Sequence, residues 1–378
     1  MKEEKLRYIK ERLQHAPAML ASKSVFAGLD GFVDSIVKVI DSKTEDGNLV
    51  YFHTIEAFGA YISGKKGSGF SLETEELFQR LGGNMPIMAN AMAQMGLPVD
   101  CVGALGVPDI SPVFVAMHPL CKLHSFTNPG FTTAMEFTDG KMMLAQMTEL
   151  NHADWKTVKK NLGLQKLIAL YLNSDLVCLL NWSELAHSNE IWKGLQDEVF
   201  VGSQDSKPKQ FFIDLSDCSK RSTAEIKVAL DLVKNFRKYG KVTLSLNHNE
   251  TNILYKTCIN EDLPSELQIK GQHLFDELAI DTLIIHSAKV SLAWDQQGKY
   301  ANIPDFIEEP LTLTGAGDNF NAGYCMAQLL DLDKELSLLL ANMISNIYIS
   351  TAQSPDLPVL NNYISGLLTA NNRNLLKY

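Results

Sequence analysis

One short run of the sequence combines two glycines with a carboxylate: Thr314-Gly315-Ala316-Gly317-Asp318. Two glycines separated by one small residue allow a tight backbone turn. The apolar residues that follow recur at helical spacing and predict a helix that begins at or near Asp318: Phe320, Tyr324, Ala327 and Leu330. Because the free N–H groups and the positive dipole end of a helix start attract anions, the run predicts a site for a phosphoryl group in transfer.

Asp318 itself has two interpretations. As a helix-start residue it would satisfy local N–H groups, a position at which Asp is favoured. As a general base it would accept the proton of a substrate hydroxyl while the glycine turn holds the phosphoryl group under attack. With the Ala322-Gly323 that follows, the run resembles the C-terminal signature of the ribokinase, or PfkB, family of carbohydrate and nucleoside kinases. The resemblance implies that Asp318 is the base and that Gly315, Ala316 and Gly317 form the catalytic anion hole.

Two aspartates, Asp30 and Asp34, follow the first predicted buried strand, Ser24 to Leu29. An open α/β sheet places ligand contacts at the carboxyl end of such a strand, although a solvated Asp-Gly turn is equally consistent with the sequence. The ribokinase family has an Asp here that holds sugar hydroxyls, and Asp34 is the better match. Because the spacing from Gly28 is one residue longer than in many members, Asp30 stays a second candidate for substrate binding.

A glycine pair, Gly82-Gly83, precedes Asn84 and a predicted helix of small residues. Glycines at a helix entry allow a substrate to approach the backbone closely, and they are equally consistent with tight helix packing. The N-terminal signature of the ribokinase family has this pair, a small-residue helix and a closing glycine at the spacing of Gly96. The resemblance implies substrate contacts at Gly82, Gly83 and Asn84.

The second chemical motif is Asn247-His248-Asn249-Glu250, which follows a predicted strand. By itself it is consistent with a polar helix cap. It matches the N-x-x-E motif of the family, whose Glu acts on the magnesium ion and its waters and whose Asn lies near the nucleotide phosphates. Mg²⁺ usually keeps several waters, so one carboxylate is chemically sufficient. We therefore expect Glu250 to serve the metal, and the resemblance implies contacts to ATP from Asn247, Gly315, Gly317 and Asn342.

Several positions depart from the family pattern. Ile87 stands where many sugar kinases have Asn, and Asn90 follows three residues later. His286 and its neighbours stand where members often have Thr-x-Gly, and Thr312-Leu313 stands where many have Asp-Thr. Asn342 is equally consistent with a helix-surface amide. These departures leave the identity of the substrate and the adenine contacts open.

Three alternatives follow for the function. A nucleoside kinase of the same fold is favoured if aromatic residues such as Phe52 or Tyr61 stack on a base. A catalytically inactive, ligand-binding relative would explain the departures, although the intact Asp318 and Glu250 argue against it. ADP is a further candidate donor, because the position of Asn90 resembles that in ADP-dependent sugar kinases. The main prediction is an ATP- and Mg²⁺-dependent kinase acting on a hydroxyl of a sugar or sugar-like substrate.

The elements that must position these residues follow an α/β pattern. An amphipathic helix is predicted from Glu3 to Leu20, and short apolar strands alternate with helices from residue 160 onward. Short, nearly continuous apolar strands predict a central, mostly parallel sheet covered by helices on its two faces. The strands are predicted as follows: Asp175 to Leu180, Phe211 to Leu215, Val242 to Leu246 and Thr282 to His286.

Two predicted hairpins interrupt this pattern. Alternating residues flank a polar turn at Ser42 to Asn48, and the segments Phe131 to Phe137 and Met142 to Met147 flank an Asp-Gly turn. Ribokinase-like kinases carry such hairpins as a small inserted β lid over the active site. We therefore predict a main kinase domain at residues 1–34, 62–123 and 150–378, and a lid at 35–61 and 124–149.

Composition limits the partners. The chain has 378 residues, 46% hydrophobic content and a formal net charge of -10. Nucleic-acid-binding proteins need a basic footprint, which this composition lacks. The charged N-terminus and the absence of a long apolar run predict a cytoplasmic protein without membrane contact, and six scattered cysteines suggest neither a zinc site nor a redox dithiol. The resemblance implies a small sugar or nucleoside as substrate and allows a homodimer through the lid.

Overall fold

The computed structural model describes residues 2–203, 209–259 and 262–375. The strands in chain order are β1 Val25–Gly28, β2 Phe32–Lys43, β3 Leu49–Tyr51, β4 Thr74–Gly82, β5 Val99–Gly103, β6 Cys121–Ser125, β7 Gly130–Phe137, β8 Gly140–Gln146, β9 Leu176–Leu179, β10 Lys209–Asp214, β11 Gly240–Asn247, β12 Thr282–His286, β13 Ser291–Asp295 and β14 Gly298–Asn302.

The helices in chain order are α1 Lys2–Ala21, α2 Ile55–Gly64, α3 Asn84–Gln94, α4 Pro112–Val115, α5 Thr148–His152, α6 Trp155–Leu162, α7 Leu164–Asn173, α8 Ser188–Gly194, α9 Thr223–Phe236, α10 His248–Cys258, α11 Leu267–Leu278, α12 Ala316–Leu329, α13 Lys334–Thr351 and α14 Leu357–Leu375. A π-helical segment, Leu195–Phe200, continues α8, and short 3-10 turns lie at Trp182–Glu184, Val201–Ser203 and Cys218–Lys220. Across the described ranges, no helix has the length and apolar character needed to cross a membrane.

A large sheet forms the centre of the described chain. It has nine strands in the order β14-β13-β12-β11-β10-β9-β1-β5-β6. The strands from β12 to β6 in this order pair in parallel, and β13 and β14 add an antiparallel edge. Because parallel strands end at the same edge, polar residues that follow several of them come together.

Alternating side chains of the buried strands point to opposite faces of this sheet. In β1, Val25 and Ala27 belong to a core packed under α1, α3, α12 and α13, whereas Phe26 belongs to a core packed under the helices from α6 to α11. Apolar residues on both faces of each strand account for the uninterrupted apolar runs in the sequence. The predicted central sheet with helices on two faces is confirmed.

A second sheet lies apart from the first. It has five strands within the described residues: β2 pairs with β3 and β4 antiparallel and with β7 in parallel, and β7 pairs with β8. The predicted hairpins are present as β2–β3 and β7–β8, the latter turning at Thr138 and Asp139. β4 is an additional strand, which falls in a range predicted to belong with the large sheet. The division of the chain into a kinase domain and a lid stays a proposal.

Candidate active site

The glycine turn starts helix α12 as predicted. Gly315 is the N-cap residue with φ 91°, a left-handed conformation that favours glycine. A Cβ atom on Gly315 would lie 2.6 Å from the hydroxyl of Tyr348, which donates a hydrogen bond of 2.9 Å to the Thr314 carbonyl oxygen. Close packing and backbone conformation therefore both require glycine at this position. The N–H groups of the first turn of α12 have no partner within the helix, so the turn can hold an anion.

Asp318 lies in that first turn and is buried. Its burial raises the pKa of its carboxyl group well above the usual value, and the nearby charges of Asp214 and Asp30 raise it further. A carboxyl group with a raised pKa is a stronger base once it is ionised. The environment of Asp318 thus makes its carboxylate a stronger proton acceptor than that of an exposed aspartate.

The two aspartates after β1 have different environments. Asp30 is fully buried, and its carboxylate accepts hydrogen bonds from the backbone N–H groups of Asn84 and Met85, at 2.8 Å each, and from Asn181 Nδ2 at 2.6 Å. Burial raises its pKa to about 7. Asp30 therefore caps helix α3, whereas Asp34 lies on β2 and lines a cavity.

The glycine pair lies against these two carboxylates. A Cβ atom on Gly83, whose φ is 95°, would be 2.5 Å from Asp30 Oδ2. A Cβ atom on Gly82 would be 2.8 Å from the carboxylate of Asp34. These glycines and Asn84 are predicted from the sequence to contact substrate; in the structure the pair makes room for acidic side chains, and the Asn84 backbone binds Asp30.

A cavity of about 470 Å³ lies beside Asp34. Its wall includes Asp34 and Arg80, which stand opposite each other on strands β2 and β4, and their charged groups are 3.7 Å apart. Burial raises the pKa of Asp34, while Arg80 and the hydroxyl of Thr132 oppose that shift. Further wall residues come from α3, the glycine turn and α13: Ile87, Asn90, Thr314 and Tyr348. We name it the Asp34 cavity.

A second cavity, of about 500 Å³, also has the glycine turn in its wall. We name it the Asn247 cavity, because Asn247 lines it together with Ala316 and Gly317. Asn342, which we expected near the nucleotide, also lines it, but its amide nitrogen donates to Ser291 Oγ at 2.8 Å and to Asn302 Oδ1 at 2.7 Å. Apolar side chains add to the wall: Phe306, Ile307, Leu313 and Phe320.

Asn247 and Glu250 form a capping box at the start of α10. The Asn247 backbone N–H donates to Glu250 Oε2 at 2.8 Å, and Asn247 Nδ2 donates to Oε1 at 2.6 Å. Glu250 is buried, and burial together with the charges of Asp214, Asp217 and Asp318 raises the pKa of its carboxyl group. Each oxygen of Glu250 accepts one hydrogen bond from Asn247 and keeps a further lone pair, and a nearby cation would favour the ionised form that the raised pKa disfavours.

Magnesium is therefore compatible with this site as a largely hydrated ion. No group of three or more His, Cys, Asp or Glu residues with metal-binding geometry occurs in the ranges 2–203, 209–259 and 262–375. Mg²⁺ usually keeps several waters and binds through few carboxylates plus substrate phosphates. A single buried carboxylate such as Glu250 fits a hydrated ion of this kind. The predicted metal role of Glu250 depends on that fit.

Several residues at the site carry no motif that marks them in the sequence. Arg80 lies on the unpredicted strand β4, and Asn181 follows β9 with a left-handed φ of 55°. His286, noted only as a departure, lines the Asn247 cavity and stacks on Phe320 with ring centroids 4.8 Å apart. Burial lowers the pKa of His286 to about 4, so it is neutral at pH 7. Asn181 and His286 could have been identified from the sequence by their place at the carboxyl ends of predicted parallel strands.

The aromatic residues considered for base stacking lie elsewhere. Phe52 is buried in a small core between the second sheet and α2. Its ring centroid is 5.3 Å from that of Phe58 and 5.2 Å from that of Tyr61. Neither Phe52 nor Tyr61 lines the Asp34 cavity or the Asn247 cavity.

Comparisons with solved structures identify the fold. The adenosine kinase of Sinorhizobium meliloti superposes with a TM-score of 0.62 at 14% identity, covering 91% of this chain and 99% of that chain. The ribokinase of Arabidopsis thaliana, complexed with ribose and ATP, superposes with a TM-score of 0.60 at 15% identity, covering 90% and 98%. At this level of identity the likeness shows a ribokinase-like fold.

Comparisons at the sequence level are more specific. The ketohexokinase of Haloferax volcanii is 27% identical over 354 residues, which cover 93% of this chain and 93% of that protein. The ribokinase of Bacillus subtilis is 37% identical over 82 residues, 20% of this chain and 28% of that protein. The family model of prokaryotic ketohexokinase matches residues 1–367. Since this match spans nearly the whole sequence, the chain belongs to the prokaryotic ketohexokinase family.

Proposed function

We propose that this protein transfers the γ-phosphoryl group of ATP to a hydroxyl of a ketohexose, with Asp318 as the general base. Membership of the family makes the chain a carbohydrate kinase, a phosphotransferase whose acceptor is an alcohol group. One observation carries the finer proposal. The segment around the glycine turn contributes to both cavities: Thr314 lines the Asp34 cavity, and Leu313, Ala316 and Gly317 line the Asn247 cavity. A hydroxyl in one cavity and a phosphoryl group in the other would meet at this turn, which ends directly before Asp318.

The proposed roles follow from this arrangement. The N–H groups at the start of α12 bind the transferring phosphoryl group and stabilise the charge that develops on it. Asp318 takes the hydroxyl proton as the oxygen attacks. Mg²⁺, when bound with the nucleotide, neutralises phosphate charge, and the buried carboxylate of Glu250 favours its presence. Asn247 and Asn342 belong to the wall that would hold the nucleotide.

The acceptor side suits a polyhydroxylated substrate. Asp34 offers carboxylate oxygens to sugar hydroxyls, and Arg80 offers guanidinium N–H groups to hydroxyl or carbonyl oxygens. The Haloferax volcanii relative is a ketohexokinase, which supports a ketohexose as the substrate class. The burial of Phe52 within the aromatic core of the second sheet gives no support to base stacking. The sugar kinase is therefore preferred over the nucleoside kinase.

The decisive experiment compares wild-type protein with Asp318→Asn. Purified protein is first assayed against ketohexoses, aldohexoses, ribose and nucleosides, with ATP and ADP as donors in parallel. We expect the best rate with a ketohexose and ATP. Asn keeps the size of Asp318 and its capacity to cap a helix, but it cannot accept the proton, so turnover should fall about 10²–10⁴-fold.

The control for this variant is binding. Nucleotide titration of Asp318→Asn should give the wild-type affinity, and the melting temperature should not fall, because removing a buried charge does not cost stability. Near-normal turnover in the folded variant would assign Asp318 to helix capping and refute the proposal. A wild-type protein that binds sugar and nucleotide without phosphoryl transfer would favour the inactive relative.

A further inference from the structure

A buried polar cluster links helix α12 to the central sheet. Asp214 is the last residue of β10, and Ser245 stands opposite it on β11. Both side chains point to Asn321 of α12: Asn321 Nδ2 donates to Asp214 Oδ2 at 2.8 Å, and Ser245 Oγ donates to Asn321 Oδ1 at 2.8 Å. The second oxygen of Asp214 accepts from the Ser216 backbone N–H at 2.8 Å.

The three side chains of this cluster are buried. Asp214 is 7% exposed, Asn321 1% and Ser245 0%. Apolar residues at these positions would pack without the desolvation cost that a buried carboxylate carries. Hydrogen bonds, unlike apolar contacts, depend strongly on distance and angle. The cluster therefore fixes one residue of α12 at a defined place on two neighbouring strands.

Asn321 is one helical turn from Asp318. Residues three apart are neighbours on a helix surface, about 4.5 Å apart along the axis. Within this turn, Asn319 Nδ2 donates to the Gly315 carbonyl oxygen at 2.9 Å, which joins the helix start to the glycine turn. A displacement at Asn321 is therefore transmitted to Asp318 and to the anion-binding N–H groups together.

We propose that Asp214, Ser245 and Asn321 are positioning residues for phosphoryl transfer, because they hold α12 so that Asp318 and the glycine turn meet the reacting groups. The proposal rests on the proposed function. A base must come within about 2.6–3.2 Å of the proton it accepts. The charge of Asp214, which also raises the pKa of Asp318, is an additional link between the cluster and the base.

The test is an exchange of side chains across the hydrogen bond. In Asp214→Asn, the cluster loses its negative charge, and the Asn321 amide must turn over to accept from the new amide, which leaves the Ser245 hydroxyl without the acceptor it has in the wild type. In Asn321→Asp, two carboxylates face each other. The double variant Asp214→Asn/Asn321→Asp restores every donor–acceptor pair, since the amide introduced at position 214 then donates to the carboxylate introduced at position 321. That carboxylate also accepts from Ser245 Oγ, and the cluster again contains one negative charge.

We expect each single variant to lose about 10²-fold in kcat, as for a misplacement near 1 Å, with KM for sugar and nucleotide unchanged. Loss of kcat alone is the sign of an interaction that acts in the transition state. The double variant should recover about tenfold or more over either single variant, the sign of a direct coupling. The matched control is Gln196→Leu, which removes a buried amide that donates to the Leu232 carbonyl oxygen at 2.8 Å and lines neither cavity. It should lower the melting temperature and leave kcat intact.

Two results would overturn the proposal. One is a wild-type kcat in the folded single variants. The substitutions would then affect stability alone, as expected for Gln196→Leu. The other is a double variant no faster than the faster of the two single variants. If wild-type protein itself transfers no phosphoryl group, the proposed function fails and this inference falls with it. An active wild type with an inactive Asp318→Asn and fully active cluster variants refutes the positioning role alone.

Discussion

Alanine substitutions at the adjacent Gly82 and Gly83 should affect different properties, substrate binding at Gly82 and stability at Gly83. A Cβ atom on Gly83 would lie 2.5 Å from Asp30 Oδ2, and the backbone there has φ 95° and ψ 148°. This conformation costs a non-glycine residue about 1–3 kcal/mol, and displacing the Asp30 carboxylate from a backbone donor costs about 1.5–3 kcal/mol. Alanine also lowers the conformational entropy of the unfolded chain, which stabilises the folded state by about 0.4–1 kcal/mol. Gly83→Ala should therefore destabilise the protein by roughly 2–5 kcal/mol.

Gly82→Ala perturbs the other carboxylate. Its Cβ atom would lie 2.8 Å from the carboxylate of Asp34, which is the end of a flexible side chain with a cavity beside it. The carboxylate can rotate away, so stability should change little. This rotation moves the Asp34 carboxylate from its place opposite Arg80, so one hydrogen bond between the carboxylate and the sugar is lost. A hydrogen bond to a charged group contributes about 1.5–3 kcal/mol, so KM for the sugar should rise about 10- to 150-fold.

Thermal melting and steady-state kinetics on both variants separate these effects. Gly83→Ala should lower the melting temperature by roughly 2.5 °C or more, since an unfolding entropy of about 2.1 cal/mol/K per residue makes each kcal/mol worth about 1.3 °C in a chain of 378 residues. Gly82→Ala should have the wild-type melting temperature and a raised KM for the sugar. An unchanged KM in Gly82→Ala would remove Asp34 from the substrate site. A wild-type melting temperature for Gly83→Ala would refute the rigid cap at Asp30.

Three further predictions concern charge. Arg80→Met should raise KM for the ketohexose about tenfold without lowering the melting temperature, because it removes a charged donor from the cavity wall; a wild-type KM contradicts this. In the proposed mechanism Asp318 acts ionised, and its pKa is raised by burial, Asp214 and Asp30, so kcat/KM should fall on acidification at a pH clearly above the ordinary Asp value of about 3.9; a profile that is flat down to that value refutes this prediction. Glu250→Gln should require more Mg²⁺ for half-maximal rate and lose about 1 kcal/mol of helix capping, measured by metal titration and melting; an unchanged titration separates Glu250 from the metal.

The sequence was most informative where local chemistry determines structure. Apolar runs predicted the strands β9 to β12, and Thr282–His286 was predicted without error. The glycine turn predicted the start of α12 within two residues. Both signals depend on neighbouring residues alone, so a single sequence contains them.

Strand β4 could not be predicted in this way. Its segment from Thr74 to Gly82 is largely exposed and has charged residues at Glu75, Glu76 and Arg80. Period-two alternation arises only when one face of a strand is buried. β4 instead exists through its pairing with the long strand β2, and the position of Arg80 opposite Asp34 depends on that register.

Long-range contacts explain the other omissions. Asn181 donates to Asp30 across 151 positions, and Asn321 donates to Asp214 across 107. No spacing rule connects such pairs, because the order of strands in the sheet brings them together. In the sequence, Asp214 is a single polar residue near the end of a predicted strand, and only the fold reveals that its charge acts on the predicted base.

The hydrogen bonds at the site divide its carboxylates into two groups. Asp30, Asp214 and Glu250 each accept bonds on both oxygens from protein donors, and each fixes the start or the position of a helix. Asp318 has a different set of donors. Within the described residues, its carboxylate accepts a hydrogen bond from its own backbone N–H. Asp34 has the distant Arg80 and the Thr132 hydroxyl. Buried carboxylates with unused acceptor capacity cost free energy unless a ligand supplies donors, so this division supports the proposal that Asp34 and Asp318 act on the substrate.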